Sequence, residues 1–275
     1  MKISIVMAYH NRRNLLIKTL ESMTTTQHRG ELETIIVDDA SRDDQRIEDL
    51  ENKFSTLNLR VIRIEPKQKW WVNPCIPNNI GFEIASGEII IIQNPECIHV
   101  GDVISYAAHN IKLNDYIAFG CYAIDRDKTN QISKIHGGNI EAVFSIIKPT
   151  NDVPLDQCPS MNRWYQHSEY SPRCLNFCTA IMKTDLIELG GFDEAYAPGI
   201  SYDDTEFIRR IKRKGMRIEM VNTPMVIHQC HGYTDYSNKR LVDMNTNRYN
   251  NTDNETTWKV NNIHTKPLVD LVVRK

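Results

Sequence analysis

The sequence predicts an α/β protein: a single, mostly parallel central sheet flanked by helices, with a less regular second half. Three observations carry this. Through the first half, short β-branched apolar runs alternate with segments whose apolar residues recur at helical spacing, and strands that alternate with helices form right-handed βαβ units. At least one run, "EIIIIQ" at 88–93, is apolar without alternation, the pattern of a strand buried on both faces. Apolar residues make up 41 % of 275, enough for the core of one large domain or two small ones.

The elements follow in order. Residues 2–8 (KISIVMA) read as a strand, and over 11–23 the positions Leu15, Leu16, Thr19, Leu20 and Met23 form a helical stripe. A second strand is expected at 32–39 (LETIIVDD). A helix follows at 45–54, with Ile47, Leu50 and Phe54 on one face, and a third strand at 59–64. Residues 76–87 (IPNNIGFEIASG) read as a helix with Pro77 near its start and Gly87 just past its end, leading into 88–93. In the second half, strands are expected at 116–125, 177–183 and 225–231. A short glycine-closed helix is expected at 184–191. A helix at 203–215 has acids at its start, bases near its end and Gly215 as its stop. The connection 148–176 holds Pro149, Pro154, Pro159 and Pro172 with Trp164, Tyr165 and Tyr170; a connection so long and irregular is functional or mobile. The folded domain is expected at 1–231, with halves at about 1–115 and 116–231. Residues 232–275, polar and rich in Asn and Thr, read as a tail packed on the surface or partly disordered.

Composition excludes some functions. With 33 basic and 35 acidic residues the net charge is −2, against bulk binding of nucleic acid or anionic membrane. No apolar run approaches the roughly 20 residues of a membrane span. The opening "MKISIVMAYHNRR" reads as a strand rather than a signal peptide. The seven cysteines are odd in number, scattered and without a C-x-x-C pair, which points to reduced thiols and a soluble protein of the cytoplasm or another reducing compartment. Cys174, Cys178, His228, Cys230 and His231 fit no common zinc spacing.

A dinucleotide fold needs G-x-G-x-x-G after its first strand, where this chain reads "AYHNRRN"; a P-loop is also missing. A diphosphate bound here therefore calls for a metal ion held by carboxylates. "EIIIIQ" runs straight into Asn94-Pro95-Glu96. Asn-Pro is a turn signal, while a carboxylate at the carboxyl end of a central strand stands where α/β proteins place ligands. Asp38 and Asp39 likewise suit a turn, with Ser41 as a helix cap. Asp203 and Glu206 have capping-box spacing.

Six stretches follow one another along the chain: "ISIVMAYHNRRNLLIKTLESM", "ETIIVDDASRDD", "NNIGFEIASGEIIIIQNPE", "CTAIMKTDLIELGGFDEAY", "YDDTEFIRRIKRKGMRI" and "TPMVIHQCH". In this collinear order they resemble family 2 glycosyltransferases, which have the GT-A fold. Together they span about residues 3–231. The resemblance implies transfer of a sugar from a nucleoside diphosphate sugar, UDP by default, to a glycan or glycoprotein acceptor, with inversion. It implies donor contacts from Ala8, Tyr9, Asn11, Arg12, Asp38, Asp39, Asn79, Gln93 and Asn94, with Tyr9 stacking on the base and Asp39 accepting from it. The family's metal-binding D-x-D falls on Asn94-Pro95-Glu96, so Glu96 with His228 or His231 would hold a divalent cation. Imidazole favours manganese over magnesium there. An acid of the pair Asp203 and Asp204, Asp204 first, would take the acceptor's proton. Many relatives carry Arg where this chain has Asn78, which shifts diphosphate contacts to Lys67, Lys69, Arg12 or the metal. Trp164, Tyr165 and the Trp70-Trp71 pair are candidates to wall the acceptor side. The altered D-x-D leaves two alternatives: a non-catalytic nucleotide-sugar-binding module, and a retaining transferase on the same fold.

Overall fold

A computed structural model describes residues 1–134, 140–147, 162–231 and 237–273. Residues 148–161 of the irregular connection, with Pro149, Pro154, Cys158 and Pro159, lie outside them, as do 232–236 of the tail.

The first half is β1 (Ile3–Tyr9), α1 (Arg13–Met23), β2 (Leu32–Asp38), α2 (Leu50–Lys53), β3 (Leu59–Arg63), α3 (Cys75–Ile84) and β4 (Ile89–Gln93). Then come β5 (Cys97–Val100), α4 (Val103–Asn110), β6 (Asp115–Ala123), α5 (Arg126–Ser133) and α6 (Ile140–Ile147). The remainder is β7 (Arg163–Gln166), β8 (Cys178–Met182), α7 (Lys183–Leu189), α8 (Asp203–Arg213), β9 (Arg217–His228), α9 (Lys239–Asn251) and α10 (Thr265–Val273).

The strands form one nine-stranded sheet in the order β3-β2-β1-β4-β8-β6-β9-β5, with β7 also on β6. β1 to β4 are parallel, whereas β8 runs against β4 and β6, and β5 against β9. β1 and β4 are apolar because helices cover both faces: Ile3, Ile5, Val6, Ile89, Ile90 and Ile91 are fully buried. The chain winds outward through β2 and β3, then returns to place β4 on the other side of β1. This order reverses at β1/β4, so the crevice beyond the carboxyl ends of these strands is the position for a ligand. The residues after β1, β2 and β4 are 10–12, 39 and 94–96.

Three expectations change. The helix at 45–54 contracts to one turn, α2, behind a short 3-10 turn at Asp43–Gln45, although Ile47, Leu50 and Phe54 are buried as expected. Burial of those apolar positions was legible; the backbone between them does not need to be helical to bury them. Gly87 does not close α3, which ends at Ile84 with extended Ala85. A Cβ at Gly87 would lie 2.5 Å from the Ser4 backbone nitrogen, so it serves close approach to β1. The capping box at 203–206 is absent. Tyr202 is the N-cap in a left-handed conformation, and buried Glu206 instead pairs with Arg210 at 2.6 Å. Arg210 also donates to the Leu189 and Gly191 carbonyls, stapling the end of α7.

The polar tail carries structure where described. Trp258, Leu268 and Val269 pack against the core, and α10 lies on α3 and β3. Glu194 holds this segment by accepting from the amides of Ile263, His264 and Thr265 at 3.0, 2.7 and 3.0 Å. Among the described residues no helix is long and apolar enough to cross a membrane.

Candidate active site

A cleft of about 800 Å³ opens at the β1/β4 crevice. That volume suits a small-molecule ligand. Ala8, His10, Arg12 and Asp39 border it from the first half, together with Asn94 and Glu96. Tyr165, Arg173, Asp203, Asp204, His228 and His231 border it from the second.

Glu96 borders the cleft and is almost wholly buried. The register of β5 on β9 pairs Cys97 with His228, and Gln229 donates its amide to the Glu96 carbonyl at 3.1 Å. This pairing sets His228 and His231 beside the carboxylate. Their Nε2 atoms lie 3.2 and 3.3 Å from Glu96 Oε1, and Arg12 Nη1 donates to Oε2 at 2.8 Å. Burial opposes charge on Glu96, but the Arg12 guanidinium and the two imidazoles outweigh it and hold the carboxyl well below its usual range. The carboxylate oxygen and two imidazole nitrogens all lie within 4.8 Å of one another. One hard anionic oxygen and two imidazoles fit a first-row divalent cation. Cys174, Cys178 and Cys230 do not join this group, and Cys178 is buried among the core residues.

Asp203 and Asp204, which also border the cleft, begin α8. Ser201 and Tyr202, both in left-handed conformation, turn the chain into the helix. That costly geometry is held by Asn245, which donates to the Ser201 and Tyr196 carbonyls at 2.8 and 3.1 Å. Asn73 donates to Asp203 Oδ1 at 2.8 Å and accepts from the Cys75 amide at 3.0 Å, tying the acid to the start of α3. Asp204 accepts from the Thr205 amide at 2.7 Å. Burial, and next to it the Asp204 charge, raises Asp203 to about 7. Burial also raises Asp204, which the Thr205 donors and Arg173 partly offset.

Asp39 is anchored by Trp71 Nε1 at 2.9 Å and Lys69 Nζ at 2.7 Å. Lys69 is therefore committed to Asp39. The other donor candidates divide. Ala8 and Asn94 border the cleft. Tyr9 also borders the cleft, although it is almost wholly buried and its hydroxyl donates to the Gln45 carbonyl at 2.7 Å. Asn11 bonds to Ser41 and the Arg42 amide. Asp38 is buried against Arg63 at 2.6 Å. Gln93 is buried between His99 and the Cys97 carbonyl. Asn79 clamps both backbone groups of Phe192 at 2.8 and 2.9 Å, away from the cleft. A Cβ at Gly191, whose φ is +72°, would meet Asn79 Oδ1 at 2.5 Å. The Tyr9 hydroxyl and the polar side chains of Asp38, Gln93 and Asn79 are thus paired within the protein.

On the acceptor side, Tyr165 borders the cleft beside His228, whereas Trp164 is turned inward against Tyr122. Trp71 is buried and Trp70 remains 49 % exposed. Sequence reasoning missed Asn73, Arg163 and Arg173. The two arginines carried a weak signal as cations flanking the aromatic residues of the irregular connection; Asn73 carried none.

The sequence matches the family model "Glycosyl transferase family 2" over residues 4–242. No curated protein matches it. Among solved structures, S. aureus TarS is similar at 17 % identity with a TM-score of 0.55, over 84 % of this chain and 37 % of that one. GalNAc-T7 with UDP, GalNAc and Mn2+ is similar at 16 % and 0.56, over 84 % and 44 %. A mannosyltransferase, PcManGT from Pyrobaculum calidifontis in complex with GDP-Man and Mn2+, is similar at 14 % and 0.55, over 98 % and 68 %. The chain thus spans less than half the length of the TarS and GalNAc-T7 chains. These likenesses show the fold, GT-A.

Proposed function

From the premise that the chain belongs to glycosyl transferase family 2, we propose that it moves a sugar from a UDP-sugar to an acceptor hydroxyl on a glycan or glycoprotein, inverting the anomeric centre. One observation carries the reading: Glu96, His228 and His231 border the same cleft as the carboxylate pair Asp203 and Asp204. Residues to meet a leaving group and residues to take a proton thus share one cleft of about 800 Å³.

The nucleoside lies toward Asp39, whose carboxylate Trp71 and Lys69 hold in place to accept an N–H from the base. Asn94 offers a neutral amide along the donor. Asp204 takes the acceptor's proton as the oxygen attacks the face opposite the leaving group. Its neighbour Asp203, held by Asn73, raises the basicity of the pair because two half-buried, adjacent carboxylates resist ionising together. A base poised nearer neutral pH is a better proton acceptor than an ordinary carboxylate. Glu96, His228 and His231 are the residues to hold a divalent cation, manganese in preference to magnesium; when bound it supplies positive charge toward the departing diphosphate. Arg173, which also borders the cleft, steadies Asp204 in its charged form.

The test is release of nucleoside diphosphate from a panel of UDP- and GDP-sugars, with manganese, magnesium or chelator, for wild type, Glu96→Ala and Asp204→Asn. Turnover of a UDP-sugar that needs metal and is lost in Glu96→Ala supports the reading. Donor binding without turnover in the presence of an acceptor panel would favour the binding-module alternative. A product of retained configuration, followed by NMR of the anomeric proton, would overturn inversion.

A further inference from the structure

The Glu96 group contains an obstacle to the cation it fits. Glu96 is the sole carboxylate of the group, and both of its oxygens are occupied. Oε1 faces the two imidazoles, and Oε2 accepts from Arg12 at 2.8 Å. Where a second acid would add negative charge, this chain has Asn94. The carboxylate and guanidinium cancel, so an arriving dication meets a buried site with no net negative charge from these side chains. Removing carboxylate charge or adding a cation nearby weakens cation binding by plain Coulomb repulsion.

Arg12 is also placed to leave. It stands just before α1, at the carboxyl end of β1, and borders the cleft. Its side chain is 32 % exposed whereas that of Glu96 is 2 % exposed. Among the described residues the guanidinium has no hydrogen-bond partner besides Glu96. A guanidinium carries five N–H donors in a fork that matches phosphate oxygens, so a diphosphate in the cleft offers it a richer partner than one carboxylate oxygen.

We infer that Arg12 is an exchangeable counter-ion. It holds Glu96 in the donor-free protein and opposes the divalent cation there. When the donor's diphosphate enters, Arg12 transfers to it and frees Glu96 for the cation. Donor and metal binding are then linked through one side chain. The inference rests on the proposed metal-holding role of Glu96, His228 and His231.

The experiment is Mn2+ titration of the full chain, reading free aquo-Mn2+ by EPR, without nucleotide and with saturating UDP. The variants are Arg12→Gln, Arg12→Lys and Glu96→Gln, each checked for cooperative melting. Without nucleotide, Arg12→Gln should bind Mn2+ about tenfold or more tightly than wild type. Arg12→Lys, which keeps the charge, should stay near wild type, and UDP should bring wild type and Arg12→Gln together. Arg12→Met replaces the Gln variant if that one melts without cooperativity. Equal Mn2+ affinity of wild type and the neutral variant without nucleotide would overturn the counter-ion role while leaving the metal site standing. If Glu96→Gln binds Mn2+ as wild type does with and without UDP, the metal-holding reading fails, and the inference with it.

Discussion

Replacing Asp203 by Asn should stabilise the protein in a pH-dependent way while impairing turnover. Asn is isosteric, and its Oδ1 can still accept from Asn73, so the 2.8 Å contact survives. What disappears is a half-buried charge beside a second carboxylate. The fold raises Asp203 from 3.8 to about 7, first by burial and then by the Asp204 charge. A carboxyl whose folded-state value is raised favours the folded state while protonated. That stability is fully present below the unfolded value near 4 and is lost as pH rises through about 7. Each tenfold change in proton affinity is worth about 1.4 kcal/mol. Moving from 3.8 to about 7 therefore costs about 4 kcal/mol when fully expressed, and about half of that, ~2 kcal/mol, once partial solvent exposure is allowed for. At 2–4 °C per kcal/mol for a domain of this size, the Asn variant should melt roughly 4–8 °C above wild type at pH 8. Below the unfolded carboxylate value the gain should vanish, and at pH 5 it should be reduced. The assay is calorimetric or fluorescence melting of both proteins at pH 5 and pH 8 in matched ionic strength. A gain equal at both pH values, or a variant less stable at pH 8, would refute the buried-pair argument.

Three further outcomes are expected. Asp204→Asn should lower turnover by about 10²–10⁴ with the melting transition intact, the usual loss for a general base; unchanged turnover in steady-state assays would remove Asp204 from that role. Tyr9→Phe should cost about 1–2 kcal/mol in denaturant melts by orphaning the Gln45 carbonyl and leave the donor KM unchanged; a raised donor KM at unchanged stability would instead assign the hydroxyl to the donor. Glu194→Gln should loosen the tail. Its carboxylate accepts three backbone amides and the Thr265 hydroxyl, so hydrogen exchange at 260–273 should accelerate at least tenfold, about 1.4 kcal/mol, while exchange in β1 and β4 stays as it was.

Local pattern carried much of the architecture. The unbroken isoleucines of β4, the stripe of α1 and the charge order and glycine stop of α8 are properties of short windows, and each element formed where expected. Short elements did not announce themselves. β5 and β7 have four residues each, too few to show a period. In the tail, α9 is polar on most faces, and the short apolar α10 depends on anchors elsewhere, such as Glu194 and the bed offered by α3. In the candidate site, residue types were legible but directions were not. Tyr9, Asp38, Gln93 and Asn79 carry the chemistry for donor contacts, yet their hydrogen bonds turn into the core. Asn73 has no local signature at all, and its meaning comes from Asp203, 130 positions away.

The sequence by itself determined the α/β class, the strands that meet at the β1/β4 crevice and the carboxylates and histidines available there, because periodicity, turn chemistry and charge act over a few neighbouring residues. Only the tertiary structure decided that Glu96 faces His228 and His231, that Arg12 lies across Glu96, and that Asn73 holds Asp203. Those contacts depend on the antiparallel register of β5 on β9 and on the return of α8 to the start of α3. Strand pairing between distant segments is selected by the burial of whole faces and the satisfaction of every ladder hydrogen bond together. No single window of sequence contains that information.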